Sequence, residues 1–215
     1  MAKPSWLVLN PTTGSGNGSI ANSSNAAHTG RVARTGTVTV TAVGVDAPVT
    51  YKVTQSPKAE FVSFDNGAEM AVSKEGGEVT VSGKSNASKL TFSWATKARV
   101  AGDVDIPTTY QANGVTTDNG VEITGDPGAT AEFPFSVTLN FPLNDTIEEI
   151  VKNLVATTTG SISAQIALKQ AAGDAYLRVD PIEITLTAEG TPVNVNIESN
   201  TSWRSEERRV GKECR

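Results

Sequence analysis

The chain has 215 residues, 38% of them hydrophobic, with 18 Lys+Arg against 23 Asp+Glu for a net charge of −5, and a single cysteine. An acidic balance without Lys/Arg clusters argues against the phosphate backbone of nucleic acid as a partner. One cysteine forbids an internal disulfide or a cysteine-cluster metal site, and no apolar run nears the ~20 residues that span a bilayer, so no membrane insertion is expected.

The opening MAKPSWLVLNPTTG has neither an apolar core nor a small-residue cleavage site, so no signal peptide is expected. GSGNG (Gly14–Gly18) superficially matches a phosphate-binding glycine loop. Such a loop follows a strand, opens a helix and carries a third spaced Gly or a Lys. Here SIANSSNAAHTGR follows, with no helical stripe, and a tight turn is expected instead. His28, the only histidine, lies in that polar stretch and is expected to face solvent.

Period-two alternation then dominates. TGTVTVTAV (Thr35–Val43) and PVTYKVTQ (Pro48–Gln55) place Val on one face and Thr or Lys on the other. GEVTVSG, KLTFSW, GVEITG, AEFPFSVTLNF, SISAQIALKQ, IEITLTAE and PVNVNIES repeat the habit. β-Branched residues suit a pleated, half-buried surface, and alternation means one face buried and one wet. The predicted class is therefore all-β, an antiparallel sandwich. One segment departs from it. In NDTIEEIVKNLVATTTG, Ile147, Ile150, Val151, Leu154 and Val155 form a helical stripe, with Asp145 and Glu148 as a capping box and Gly160 as a stop. A short helix near 145–157 is predicted. Asp103 and Asp105 lack the spaced oxygen ligands a calcium loop needs, so a solvated loop is expected there.

The chain repeats itself. VTQSPKAEFVSFDN (Val53–Asn66) resembles LKQAAGDAYLRVDP (Leu168–Pro181), pairing Gln55 with Gln170, Phe61 with Tyr176 and Asp65 with Asp180 at a spacing of 115. At a spacing of 114, Val79 meets Val193, Val81 meets Val195, and Ser85-Asn86 meets Ser199-Asn200. The closing RSEERRVGKECR changes language, with five basic and three acidic residues and Cys214. It matches one reading frame of a common short-read sequencing adapter, so residues 204–215 are expected to be an artefact and the natural sequence to run on from near Trp203. The predicted organisation is a module at 1–55 lacking its first strands, a divergent sandwich at 56–170, and the opening strands of a further module at 171–203.

Trp6, NPTTGSGNGS, Asn25, Arg31, TGTVTVTA and VTYKVTQ, followed by Ser199-Asn200 and Trp203, occur in the order of the BACON domain (Bacteroidetes-associated carbohydrate-binding, often N-terminal), which the chain resembles over about half its length. The middle module matches at its ends only. The resemblance implies tandem immunoglobulin-like sandwiches, as on gut Bacteroidota surface proteins and crAss-like phage virion proteins, with glycans or mucin as partners.

Sugar binding needs an aromatic face for the pyranose and planar polar groups for its hydroxyls. The candidates are Tyr110, Gln111 and Asn113, in a stretch that reads as an exposed loop, and Trp6, Asn25 and Arg31. Trp6 and Trp203 match pattern positions that pack into the sandwich. No Ser/His/Asp set or metal cluster assembles around one histidine, so neither an enzyme nor a cofactor is expected. The expected function is adhesion or display in a phage virion, as a head fibre or decoration protein. The alternatives are a fragment of a bacterial cell-surface glycan-binding protein or glycosidase, or a ligand-free spacer. The incomplete outer modules suggest a homo-oligomer, or assembly with other virion subunits, by strand addition.

Overall fold

A computed structural model describes residues 3–95 and 104–206, and within them the chain is all-β. Asp103 and Cys214 lie outside the described residues. The central unit is a two-layer sandwich. One layer has five strands in the order β10-β9-β11-β7-β5: Val115–Asp118, Thr109–Ala112, Phe133–Phe141, Gly77–Ser85 and Val62–Phe64. The other has four, β6-β13-β12-β8: Glu69–Val72, Ser163–Gln170, Ile150–Thr158 and Leu90–Trp94. The chain crosses between layers after β5, β6, β7, β8 and β11, and β6 pairs parallel with the last strand of the unit, β13, with Met70 opposite Leu168 and Val72 opposite Gln170. With β5 and β6 as a first strand split between the layers and β10 as an added edge strand, the orders β5-β7-β11-β9 and β6-β13-β12-β8 correspond to A-B-E-D and A′-G-F-C, an immunoglobulin-like topology.

Alternation explains which residues meet between the layers. Along β11, Phe133, Phe135, Val137, Leu139 and Phe141 are buried, while the residues between them face out. The Phe135 ring lies edge-on to Phe64 (5.9 Å, 77°) and tilted against Phe92 at 5.6 Å, the offset geometry that ring quadrupoles favour. Close packing also dictates Gly83 on β7: a Cβ there would stand 2.2 Å from the Ser63 carbonyl oxygen and 2.4 Å from the Phe135 ring.

The predicted helix near 145–157 is a strand instead. Residues 150–158 form β12, paired with β13 on one side and β8 on the other. Leu154, Ala156 and Thr158 are buried at period two, while Val151 is exposed. The stripe of Ile150, Val151, Leu154 and Val155 fits both periods. The β-branched Val151, Val155, Thr157 and Thr158 suit a ladder flanked on both sides better than a helix. Nor does Asp145 cap anything. The buried neighbour Asn144 shapes the turn: its Oδ1 accepts from the Thr146 amide and hydroxyl (3.1 and 2.7 Å), and its Nδ2 donates to the carbonyls of Glu148 and Ala171 (2.8 and 2.9 Å). The only helical element among the described residues is a 3-10 turn over Pro127–Ala129.

Around the central unit lie smaller sheets. β1 (Leu7–Asn10) pairs with β2 (Ala21–Ser24), and β3 (Arg34–Val40) with β4 (Val49–Gln55). At the other end β14 (Leu177–Asp180) pairs with β15 (Asn196–Ser199). Two expected strands do not form: in GVEITG only Glu122 makes an isolated bridge, to Lys89, and IEITLTAE is irregular.

Leu154→Ala, which empties a fully buried site between the two layers, should cost the central unit about 2–5 kcal/mol in urea unfolding. Its far-UV circular dichroism should stay strand-like. A helical minimum pair in the wild-type spectrum would contradict β12.

Candidate inter-module junctions and the predicted glycan contacts

The residues singled out for sugar binding do not converge. Tyr110 is not on an exposed loop. It lies on β9, 3% exposed, with its ring 5.0 Å from Phe92. Its hydroxyl has no hydrogen-bond partner among the described residues. Burial pushes the phenol's pKa above its usual value. Gln111 points the other way, out to solvent, and donates to the Thr116 hydroxyl at 2.8 Å. Asn113 and Gly114 have φ of 50° and 77° and form the two-residue turn joining β9 to β10. Asn-Gly is the strongest short hairpin signal, because both central residues of a type I′ turn need positive φ. The strand reading of Tyr110 was thus available from its neighbours.

Trp6 and Asn25 belong to the N-terminal strands. The half-buried Trp6 ring carries the Arg34 guanidinium 4.9 Å above it. Asn25 donates through Nδ2 to the Ser5 carbonyl (3.1 Å), and its amide donates to that of Trp6 (3.0 Å). Both hold the β1–β2 edge together. His28 is buried rather than solvent-facing, and its Nε2 lies 2.7 Å from the Val32 carbonyl.

Arg31 has a different task. Its Nη1 donates to the Asn86 carbonyl at 2.9 Å, and its Nη2 pairs with the Asp126 carboxylate. Arg31 therefore ties the N-terminal unit to the central sandwich. The backbone reinforces it: the amides of Arg31 and Val32 donate to the carbonyls of Gly128 and Ala129 (3.2 and 3.0 Å). The surfaces meet so closely that a Cβ on Gly30 would stand 2.4 Å from the Thr130 carbonyl carbon, and one on Gly128 would stand 2.5 Å from the Asn86 carbonyl oxygen.

Asn86 is the hub of this junction and is fully buried. Its Oδ1 accepts from the Phe61 amide at 3.0 Å, and its Nδ2 donates to the carbonyls of Ala59 and Thr29 at 3.2 and 3.1 Å. One carboxamide thus grips the start of its own sandwich and a loop of the preceding unit. Beside it, the Ser85 hydroxyl donates to the Phe61 carbonyl at 2.7 Å and accepts from the Ala87 amide at 3.0 Å.

The same set of bonds recurs one repeat later. Asn200 accepts from the Tyr176 amide (3.0 Å) and donates to the carbonyls of Asp174 and Asp145 (2.9 and 2.7 Å). The Ser199 hydroxyl donates to the Tyr176 carbonyl (2.8 Å) and accepts from the Thr201 amide (3.1 Å). The Lys58 amide reaches the Gly30 carbonyl at 2.9 Å, as the Gly173 amide reaches that of Thr146 at 2.7 Å. His28 on Val32 has its counterpart in Asn144 on Glu148. The second junction adds an ion pair, Lys74 with Asp174. That hydrogen bond raises the ammonium's pKa, and beside it lies a cleft of about 180 Å³ lined by Leu143, Asn144 and Tyr176, among others. The sequence signal was the Ser-Asn pair repeated at a spacing of 114; its task as a joint between units was missed.

Among the described residues, no group of three or more His, Cys, Asp and Glu is placed to hold a metal. No protein-family model matches the chain, and no curated protein matches it. Among solved structures, it is similar to zebrafish RET cadherin-like domains 1 to 4, at 8% identity and a TM-score of 0.35, over 74% of this chain and 45% of that one. It is also similar to an endo-fucoidan hydrolase of glycoside hydrolase family 107, at 11% identity and a TM-score of 0.28, over 82% of this chain. The chain spans less than half of either structure, 45% and 27% of their lengths.

Asn86→Ala would leave the Phe61 amide and two carbonyls without their partner, costing the central unit roughly 2–3 kcal/mol. It should also speed proteolysis between the first two units. Asn200→Ala should leave the central unit's unfolding midpoint in place, and equal losses in the two variants would refute this assignment.

Tyr110→Phe removes a buried hydroxyl that lacks a bond and should stabilise the central unit by about 1 kcal/mol at neutral pH. The folded phenol has the raised pKa. Its contribution is therefore complete below the ordinary value of about 10 and fades as pH climbs through the folded value. The phenylalanine variant should lose less stability in an alkaline denaturation series.

Proposed function

We propose that the chain is a non-enzymatic display protein, an array of β-sandwich units that holds a binding or structural surface away from its anchor. The observation that carries this reading is the recurrence of the asparagine-centred junction with the same partners. A protein that spends side-chain hydrogen bonds on fixing each unit against the next gains a defined end-to-end geometry. A stalk or fibre needs that geometry and a pocket enzyme does not. The BACON resemblance adds a setting, a virion fibre or decoration protein, or else a bacterial cell-surface protein, and adds adhesion to glycans or mucin as the display's purpose.

Within that reading the described units are spacers. The burial of Tyr110 removes the best aromatic platform, and Gln111 and Asn113 stand on a hairpin without an aromatic face of their own. Adhesion then belongs to other parts of the display.

Small-angle scattering on dilute protein should give a radius of gyration well above the about 17 Å of a compact 215-residue globule. Glycan-array and mucin-binding measurements should be flat. A compact radius would defeat the stalk, and saturable glycan binding lost in Gln111→Ala would defeat the spacer assignment.

A further inference from the structure

Among the described residues, three that are not glycine have positive φ: Asn113, Asp126 and Ser161. Asn113 makes the turn into β10, and Ser161 lies in the turn between β12 and β13. Asp126 joins no hairpin. It precedes Pro127 with φ 31° and ψ 69°, a left-handed conformation that an L side chain resists and a following proline ring disfavours further. Such strain persists only where the surroundings enforce it. Here the Asp126 amide donates to the Ile123 carbonyl at 3.1 Å, and the Arg31 and Val32 amides grip the Gly128 and Ala129 carbonyls just beyond.

The carboxylate is held in two different ways. Arg31 pairs with Oδ2, while Oδ1 is buried and has no hydrogen-bond partner among the described residues. A carboxylate oxygen stripped of water and of donors is costly to hold and a stronger nucleophile than a hydrated one. The nearest electrophile along the chain is the carbonyl carbon of Asp126 itself, since closing onto it gives a five-membered cyclic anhydride. That carbonyl's oxygen accepts from the Ala129 amide at 3.3 Å, a donor on the atom where negative charge gathers during attack. The leaving group is the Pro127 nitrogen, a tertiary amide that carries no hydrogen.

We propose that the Asp126–Pro127 bond is a site of self-cleavage. Oδ1 attacks the Asp126 carbonyl carbon, the C–N bond to Pro127 breaks, and the nitrogen takes up a proton from solvent. Water then opens the anhydride, leaving Asp126 as a C-terminus with both carboxyls free and Pro127 as a new N-terminus. The sum is hydrolysis of one peptide bond by one water, with no oxidant or cofactor. Breaking the bond frees Asp126 from its left-handed conformation, so strain stored by the fold lowers the barrier.

The cut falls between β10 and β11, and the two pieces stay interlocked. β11, on the C-terminal side, lies between β7 and β9 of the N-terminal side, while β12 and β13 pair with β8 and β6. Cleavage therefore removes the covalent link through the array and leaves its shape. The chemistry is independent of the display reading, and either can fail without the other.

Asp180–Pro181 supplies a reference bond in the same chain, because Asp180 is an exposed residue of β14 without positive φ. The full chain, kept folded in mildly acidic buffer, should yield two fragments whose masses sum to 22.4 kDa plus one water. N-terminal sequencing of the second fragment should begin at Pro127. Cleavage there should run about tenfold or more faster than at Asp180–Pro181, and urea should bring the two rates together. Asp126→Asn removes the carboxylate and should suppress the cut. Asp126→Glu keeps the charge but requires a six-membered ring and should slow it. A chain that stays whole, equal rates at the two bonds in the folded protein, or a preference that survives urea would each overturn the proposal. So would a folded Asp126→Asn variant that is cut at the wild-type rate.

Discussion

A carboxamide buried between two units must find partners for both its ends, because a buried polar group left unbonded costs more than its bond returns when made. Asn86 meets that demand with groups from two units: the Phe61 amide and Ala59 carbonyl on its own side and the Thr29 carbonyl on the other. One side chain thereby serves both the start of the central unit and the placement of its neighbour. The close glycine contacts at Gly30 and Gly128 follow from it, since the loop can reach the asparagine only where backbone meets backbone without a side chain between.

Polar residues also organise the other loops. Asn144 shapes the turn before β12, and Gln170 donates to the Pro142 carbonyl at 2.7 Å where β13 ends. Asn119 both accepts from and donates to the Phe92 backbone (2.8 and 3.0 Å), imitating a ladder partner. The apolar layer between the sheets supplies cohesion, and these amides fix where each strand starts and stops.

The class of the fold was legible because Val, Thr and Phe alternate with their neighbours over long strands such as β7 and β11, where period two admits no second reading. The repeat was legible through Gln55/Gln170 and Ser-Asn. The failures share a cause. Ile150 to Val155 satisfied two periods at once, and only the strands on either side decide between them. Tyr110 looked exposed because its four-residue strand is too short to display alternation, while the Asn-Gly after it already marked a hairpin. IEITLTAE has the pattern of a strand but pairs with none among the described residues. The candidate site was least legible, since a joint between units is made of carbonyls and amides that every residue possesses. Only the recurrence of the asparagine marks it.

The two joints are clamped differently: the second relies on exposed bonds and the surface pair of Lys74 with Asp174, the first on a buried asparagine. Arg31 clamps the first through Asn86 and Asp126. The corresponding place in the second is taken by Ile147, an aliphatic side chain 46% exposed to water that reaches no such anion. Compliance is therefore unevenly distributed along the molecule. Under a lateral load the exposed second joint should yield before the buried first one.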